Sequence, residues 1–192
     1  GRKLIYWANQ FDNVINKRAH RETTAEEIWS QTEGKIDGFI CSVGTGGTLA
    51  GVAEGLKNKK KGIKIGLSDP HGSALYSYIK NNTLTMEGSS ITEGIGTSRI
   101  TKNFENTPID YAYRIDDANA LNIVFKLLKN EGLFLGTSSG INVAGAIEMA
   151  KEMGPGKTIV TILCDVGSRS ASKLFNIEFL KSKNLPYPDW LS

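Results

Sequence analysis

The chain has few of the residues that mark secreted, membrane or metal-binding proteins. It holds only two cysteines, both in apolar strand-like runs, so we expect reduced core thiols at Cys41 and Cys164 and no disulfide framework. Its two histidines, His20 and His71, are isolated, which argues against a metal site. No apolar run reaches the roughly 20 residues that span a bilayer, and no signal-peptide pattern precedes the first predicted strand. We therefore expect a cytoplasmic protein without a membrane partner.

Charge of one sign is also scarce. The net charge is +3 over 192 residues, and the densest basic run, 57–61, falls at a predicted helix end, where cations suit the helix dipole. We interpret this run as a solvated helix end, so the sequence gives no support for a nucleic-acid partner.

An initial methionine is lacking, and a strand-like segment, Leu4 to Ala8, follows the first residues at once. Such a strand ordinarily lies inside a fold, so we expect a piece of a longer protein. In this interpretation residues 1–22 are the remnant of a preceding domain, residues 23–180 form a cofactor-binding α/β domain, and residues 181–192 are a tail.

A glycine-rich turn is the central motif. The stretch 42–50 reads Ser-Val-Gly-Thr-Gly-Gly-Thr-Leu-Ala and joins an apolar strand pattern, Ile36 to Cys41, to a helix pattern, Leu49 to Lys57. Such a turn aims backbone N–H groups and the positive end of the helix dipole at an anion. A second strand, Ile63 to Leu67, completes a βαβ unit and predicts a parallel sheet.

Three alternative interpretations of this turn concern which ligand, if any, it binds. A Walker loop is excluded because Gly47 is followed by Thr48 and Leu49 rather than by Lys-Ser/Thr. A dinucleotide fingerprint would need a glycine at position 49, although Asp69 ends the next strand about 20 residues on, where a ribose-binding acid could stand. A tight connection with no ligand is the third.

Further elements follow in order. A capping box, Thr24 to Glu27, opens a helix that stops near Gly34, and 71–106 lacks periodicity and is interpreted as a mobile binding loop. The later elements are a strand Ile109 to Ile115, a helix capped by Asp116 and ended by Gly132, a helix from Thr137 to Met153 with Gly145 in close packing, a strand Thr158 to Leu163 buried on both faces, and a short helix through Lys173 to Phe175. The fold class is α/β, an open parallel sheet with helices on both faces in three layers.

Ligands of open parallel sheets bind beyond the carboxyl ends of the strands. Asp165 follows the last strand, and if that strand neighbours the first, its carboxylate faces the same crevice as the glycine turn. There it could bind the ring nitrogen of a heteroaromatic cofactor whose phosphate the turn holds. The alternative is that Asp165 caps the following helix.

With these pieces in order, the chain resembles the cysteine synthase (O-acetylserine sulfhydrylase) family of fold type II pyridoxal-phosphate enzymes. The matching runs lie in family order and cover nearly the whole chain: Gln10-Phe11, Thr23 to Trp29, Val43 to Gly51, Glu93 to Gly96, Glu131 to Gly140, and Asp165 to Arg169.

The resemblance implies that Gly44, Thr45, Gly46, Gly47 and Thr48 hold the phosphate of pyridoxal 5'-phosphate. It places Asp165 at the position of the residue that binds the pyridine nitrogen, where most members have serine. It also places Gln10, Gly94 and Gly96 on the substrate side. The family's Schiff-base lysine and its carboxylate-gripping loop lie in an N-terminal half that has no match here. The resemblance is therefore to the C-terminal part of the large domain, and no catalytic lysine is assigned.

The implied reaction is β-replacement, in which O-acetylserine and sulfide give cysteine and acetate. The implied assembly is a homodimer that can bind serine acetyltransferase. We expect this chain alone to be inactive, because it cannot link to the cofactor. A non-catalytic binding fragment, a related enzyme such as cystathionine β-synthase, and a dinucleotide-dependent oxidoreductase remain open.

Overall fold

Four parallel strands form the sheet of this protein, whose computed structural model describes residues 5–191. The strands are β1 (Gly38–Cys41), β2 (Lys64–Pro70), β3 (Tyr111–Ile115) and β4 (Ile159–Thr161), and their order is β3-β2-β1-β4. In the centre, Ile40 of β1 pairs with Gly66 on one side and with Thr161 on the other. The predicted open parallel sheet is confirmed.

Eight α-helices and two 3₁₀ turns lie among residues 5–191. They are α1 (Ile15–Glu22), α2 (Thr24–Gln31), α3 (Gly47–Lys59), α4 (Leu75–Asn81), α5 (Asp117–Glu131), α6 (Thr137–Met153), the 3₁₀ turn Gly167–Ser170, α7 (Ala171–Leu174), α8 (Ile177–Ser182) and the 3₁₀ turn Asp189–Leu191. None of these helices is long and apolar enough to cross a membrane.

The helices cover both faces of the sheet, because successive strand residues point to opposite faces. Phe39 of β1 belongs to the core cluster that contains the apolar residues of α3. Ile40 instead points to the opposite face and lies against Gly145 of α6. A Cβ added to Gly145 would lie 2.3 Å from Ser68 Oγ of β2, so α6 packs closely on the sheet. This confirms the three-layer prediction and the close packing expected at Gly145.

Helix α1 packs on α3 through small residues rather than through an apolar stripe. No residue of α1 is buried, and a Cβ at Gly51 of α3 would lie 2.3 Å from the backbone oxygen of Lys17. At Gly55 a Cβ would lie 2.4 Å from the Cβ of Ala25. The two glycines therefore let α1 and α2 approach α3 at backbone distance.

Several helix ends follow the sequence. The Asp116 carboxylate accepts the N–H of Asn119 at 2.8 Å and caps α5, and Gly132 ends that helix with φ +68°. The capping box predicted for α2 is wrong: the helix begins after Thr23, whose hydroxyl donates to the oxygen of Ala19, and Thr24 Oγ1 bonds His20 Nδ1.

Other predictions are corrected by the structure. Residues 5–8 form no strand and are exposed, while Leu4 lies outside the described residues. The last strand is shorter than predicted and only half-buried, because β4 lies at one edge of the sheet. Helices α1, α4 and α8 are not among the predicted elements, and α4 occupies part of the segment interpreted as loop. Cys164 is exposed, so of the two free thiols only Cys41 belongs to the core.

Candidate functional site

The glycine-rich turn, residues 44–48, joins β1 to the N-terminus of α3. Gly46 has φ +89°, a backbone conformation that favours glycine. Its carbonyl accepts the N–H of Ala50, so the N–H groups that precede Ala50 in the first turn have no partner four residues back. The first turn of this 13-residue helix contains no acidic residue. These are the features of backbone turns that hold anions in other proteins.

Three glycines of the turn make room for other parts of the protein. A Cβ on Gly44 would lie 2.5 Å from the oxygen of Gly94, and a Cβ on Gly46 would lie 2.6 Å from the Cβ of Phe104. A Cβ on Gly47 would lie 2.0 Å from Asn16 Oδ1. The glycines therefore allow three neighbouring segments to approach the backbone of the turn closely.

The two threonines of the turn are fixed by neighbouring side chains. Thr45 Oγ1 accepts from Asn16 Nδ2 at 3.0 Å and from the N–H of Gly47 at 3.3 Å. Thr48 Oγ1 lies 3.1 Å from His20 Nε2. Burial holds the pKa of His20 below its usual value, so the ring is neutral at neutral pH and can donate from one nitrogen and accept at the other.

Asp165 lies beyond the end of β4, the strand that neighbours β1. The fully buried Asn142 of α6 joins the segments that follow these strands: its Oδ1 accepts the N–H of Ser42 at 2.7 Å, and its Nδ2 donates to the oxygen of Ile162 at 2.8 Å. The Asp165 carboxylate pairs with exposed Arg169 at 3.3 Å. Because Val166 is the N-cap of the following 3₁₀ turn, the capping interpretation of Asp165 is wrong.

Gly94 and Gly96 lie directly against the start of the glycine turn. The N–H of Gly96 donates to the oxygen of Val43 at 2.7 Å, and the oxygen of Gly94 faces Gly44 as described above. Gly96 also lines an open cleft of about 570 Å³ beyond the end of β2. This loop therefore connects the glycine turn to an open cleft of the size of a small molecule.

Gln10 lies in the irregular segment that precedes α1. Its carbonyl accepts two side-chain hydrogen bonds, from Asn16 Nδ2 at 2.8 Å and from Asn103 Nδ2 at 2.9 Å. Since Asn16 also bonds Thr45, one carboxamide separates Gln10 from the glycine turn.

Three asparagines of this site carry no recognisable sequence signal. Asn16, Asn103 and Asn142 each join segments that are distant in the chain, and Asn103 and Asn142 are fully buried. Asparagine occurs throughout polar surface segments, and nothing in the local pattern distinguishes these three. Only the tertiary structure shows which amides are buried with their hydrogen bonds satisfied.

Asp69 has a different environment from that of a ribose-binding acid. Its side chain is fully buried, and Oδ2 accepts the N–H of Tyr76 at 2.8 Å, next to the start of α4. Burial raises the pKa of this carboxyl to about 6. A carboxyl enclosed in this way is not presented to a ligand, which weakens the dinucleotide interpretation.

Comparison with known proteins gives a family. Residues 2–165 match the family model described as "Pyridoxal-phosphate dependent enzyme". The chain is 50% identical over 184 residues to Cysteine synthase 1 of Emericella nidulans, covering 93% of this chain and 50% of that protein. It is 40% identical over 199 residues to Cysteine synthase of Dictyostelium discoideum, covering 98% of this chain and 53% of that protein.

A solved structure agrees with the sequence comparisons. The crystal structure of O-acetylserine dependent cystathionine beta-synthase from Helicobacter pylori superposes with a TM-score of 0.78 at 34% identity, covering 85% of this chain and 51% of that one. The predicted resemblance and fold type are confirmed. The chain spans about half the length of the curated relatives it matches.

Proposed function

Because this chain belongs to the family of pyridoxal-phosphate dependent enzymes, we propose that it supplies the phosphate-binding turn and the ring-nitrogen partner of a cysteine synthase. The observation that carries the proposal is the placement of β4 beside β1. It brings Asp165 and the glycine turn to the same end of the sheet, which supports a phosphorylated heteroaromatic ring bound between them.

The turn fits a phosphate dianion. Gly44, Thr45, Gly46, Gly47 and Thr48 would hold it through the open N–H groups at the start of α3 and through the threonine hydroxyls. The absence of acidic residues from the first turn of α3 means that no carboxylate there would repel it.

Asp165 suits the role of ring-nitrogen partner. Its side chain is about half exposed, and an exposed ion pair such as that with Arg169 contributes roughly 0–1 kcal/mol, so a ligand can displace it. When bound, pyridoxal phosphate supplies an electron sink for the substrate's Cα. A carboxylate at Asp165 would keep the ring nitrogen protonated, which strengthens that sink more than a neutral hydroxyl would.

The proposed reaction is β-replacement on O-acetylserine. Acetate leaves from Cβ and sulfide takes its place, which gives cysteine. Gln10, Gly94 and Gly96 are the proposed substrate-side residues. Gly94 and Gly96 lie directly against the start of the glycine turn, and Gln10 is linked to the turn through Asn16, which supports this assignment. The names of the cysteine synthases that the chain matches favour sulfide as the acceptor.

The remaining parts of the proposal concern the whole protein. Residues 23–180 would be the cofactor-binding domain, residues 1–22 the connection from a preceding domain and residues 181–192 a tail, in a cytoplasmic homodimer that can bind serine acetyltransferase. No lysine of this chain is assigned as the group that links to the cofactor. We therefore propose that the lysine is supplied by the part of the relatives that this chain does not span.

Absorbance spectroscopy with added pyridoxal phosphate tests this proposal. The purified chain is scanned alone and then mixed with a polypeptide that carries the N-terminal half of Cysteine synthase 1 from Emericella nidulans. We expect the visible band of a lysine-linked cofactor, together with cysteine formation, only in the mixture. A mixture whose N-terminal half has its lysine replaced is the control and should show neither. Cysteine formation by this chain alone, or no band in the mixture, would contradict the proposal.

Cystathionine synthesis is the second candidate, favoured by the structural likeness to the cystathionine beta-synthase of Helicobacter pylori. The same mixture assayed with homocysteine in place of sulfide separates the two, because the enzyme's preferred acceptor gives the higher kcat/KM. A folded chain that gives no band in any mixture would instead favour a non-catalytic binding fragment.

A further inference from the structure

Asn16 of α1 joins two segments of the proposed site with one side chain. Its Nδ2 donates to the oxygen of Gln10 at 2.8 Å and to Thr45 Oγ1 at 3.0 Å. A backbone carbonyl can only accept, so the amide nitrogen must face Gln10, which fixes the orientation of the carboxamide. Both N–H groups of Asn16 are therefore used.

The contacts of Thr45 determine what its hydroxyl proton can do. A hydroxyl has one proton and two acceptor lone pairs. Thr45 Oγ1 accepts from Asn16 Nδ2 and from the N–H of Gly47, and neither bond uses the hydroxyl proton. The carbonyl of Thr45 is held separately by the hydroxyl of the buried Thr101 at 2.7 Å. Thr45 is thus held with its own proton left to donate.

The space at Gly47 keeps Asn16 in place. An added Cβ would lie 2.0 Å from Asn16 Oδ1 and 2.5 Å from its Cγ, so the carboxamide packs directly against the backbone at the first residue of α3. The side chain is confined between Gln10, Thr45 and this backbone.

We propose that Asn16 is a positioning residue of the anion-binding turn, which holds Thr45 so that its hydroxyl donates to a bound phosphate and which ties Gln10 to that turn. The inference rests on the proposed function, because it requires the turn to bind a phosphate. Asn16 does not itself touch the anion, and it acts by donating one hydrogen bond to Thr45 Oγ1 and one to the Gln10 carbonyl.

Binding of a phosphorylated cofactor analogue to the chain tests the proposal without any reaction. The probe is 4'-deoxypyridoxine 5'-phosphate, which lacks the aldehyde and cannot react with lysines. It is titrated into the ¹⁵N-labelled chain, and the backbone amide shifts of residues 44–49 are followed by NMR at constant ionic strength. This detects weak binding and localises it to the turn.

The isosteric variant Asn16→Asp should weaken binding of the probe about tenfold or more, the range of one or two charge-assisted hydrogen bonds. Its carboxylate cannot donate to Gln10 or Thr45, accepts the proton that Thr45 would give to the phosphate, and adds a negative charge beside the anion. Asn58→Asp, an exposed position on α3 with the same charge change, is the matched control and should change the dissociation constant by less than about twofold.

A double-mutant cycle with Asn16→Leu and Thr45→Val distinguishes positioning from a structural role. If Asn16 acts through Thr45, the loss of affinity caused by Asn16→Leu shrinks to about twofold or less in the Thr45→Val background. Additive losses, or an affinity that Asn16→Asp and Asn16→Leu both leave unchanged, would overturn the inference alone. A wild-type chain whose amides at 44–49 do not respond to the probe would overturn the proposed phosphate site and the inference with it.

Discussion

At the scale of single residues, Asp69 is a carboxyl with an unusual environment. Its carboxyl is fully buried at the end of β2, Oδ2 accepts one N–H, and Oδ1 has no hydrogen-bond partner. Burial raises its pKa from 3.8 to about 6, against the opposing effects of the Tyr76 N–H, the Ser73 hydroxyl and the Arg114 charge. The folded state therefore binds this proton more tightly than the unfolded state.

The sign of the pH effect follows from this difference. Between pH 4 and 6 the folded state holds more protons at Asp69 than the unfolded state, so this group lowers the free energy of unfolding as pH rises. We expect Asp69→Asn, which keeps a carbonyl acceptor for Tyr76, to remove this part of the pH dependence. The difference between the two pKa values corresponds to a change on the order of 3 kcal/mol. Urea unfolding from pH 4 to pH 7 measures it, and equal slopes for wild type and variant would refute it.

Gly47 allows a second prediction at this scale. Gly47→Ala places a Cβ against the Asn16 carboxamide, and we expect it to lower the free energy of unfolding by about 1–3 kcal/mol. Gly62→Ala is the control, since an added Cβ there meets nothing within 4 Å. Urea unfolding of both variants gives the comparison. Equal effects would mean that the turn relaxes around the new side chain.

At the scale of elements, buried amides hold the irregular segment before α1 against the loop after residue 96. Asn103 Nδ2 donates to the oxygens of Gln10 and Phe11, and its Oδ1 accepts the N–H of Lys17. All of its polar side-chain atoms are bonded, and its side chain is fully buried. The position of the Gln10 segment thus depends on a side chain about 90 residues away.

Replacing Asn103 should make residues 10–17 unfold locally more often than the rest of the chain. We expect Asn103→Ala to lower the free energy of unfolding by about 1–3 kcal/mol, because it removes the hydrogen bonds to the part-buried Phe11 carbonyl and Lys17 N–H. Amide hydrogen exchange should accelerate most at residues 10–17, which are held by these bonds. Asn58→Ala on the exposed side of α3 is the control. Uniform acceleration across the sheet would show that Asn103 does not hold this segment in particular.

At the scale of the whole molecule, two features of residues 5–191 favour association with another chain: an exposed apolar cluster, residues 5–7, and the edge strand β4. Ile5, Tyr6 and Trp7 are 93%, 81% and 80% exposed, and the edge strand β4 is only half-buried. Exposed apolar clusters and open strand edges favour association. Each feature is therefore available to another copy of the chain or to the polypeptide used in the complementation experiment.

We predict that the purified chain self-associates through the apolar cluster 5–7. We expect its weight-average mass in sedimentation velocity to rise with concentration, and Trp7→Lys to reduce that rise because it places a charge in the apolar cluster. Leu84→Lys changes a half-exposed leucine outside this cluster and serves as the control. A wild-type chain that stays monomeric at every concentration would contradict the prediction.

The elements with strong local signals could be predicted from the sequence. The predicted apolar strand before Ser42 corresponds to β1, and the predicted glycine turn corresponds to residues 44–48. The helix predicted after Asp116 corresponds to α5. Helix α1 could not be predicted, because its sequence carries no apolar stripe and it packs on the glycines of α3. The strand expected at 4–8 has the composition of a buried strand, but residues 5–8 have no neighbouring strand with which to pair.

The sequence by itself determined the parallel α/β class, the glycine turn between β1 and α3, and the family, because these depend on local periodicity and on runs of adjacent residues. Only the tertiary structure decided the neighbours of that turn. The positions of Asn16, Asn103, Asn142 and the β1–β4 pairing depend on contacts between residues that are far apart in the chain, and such contacts form only when the core packs.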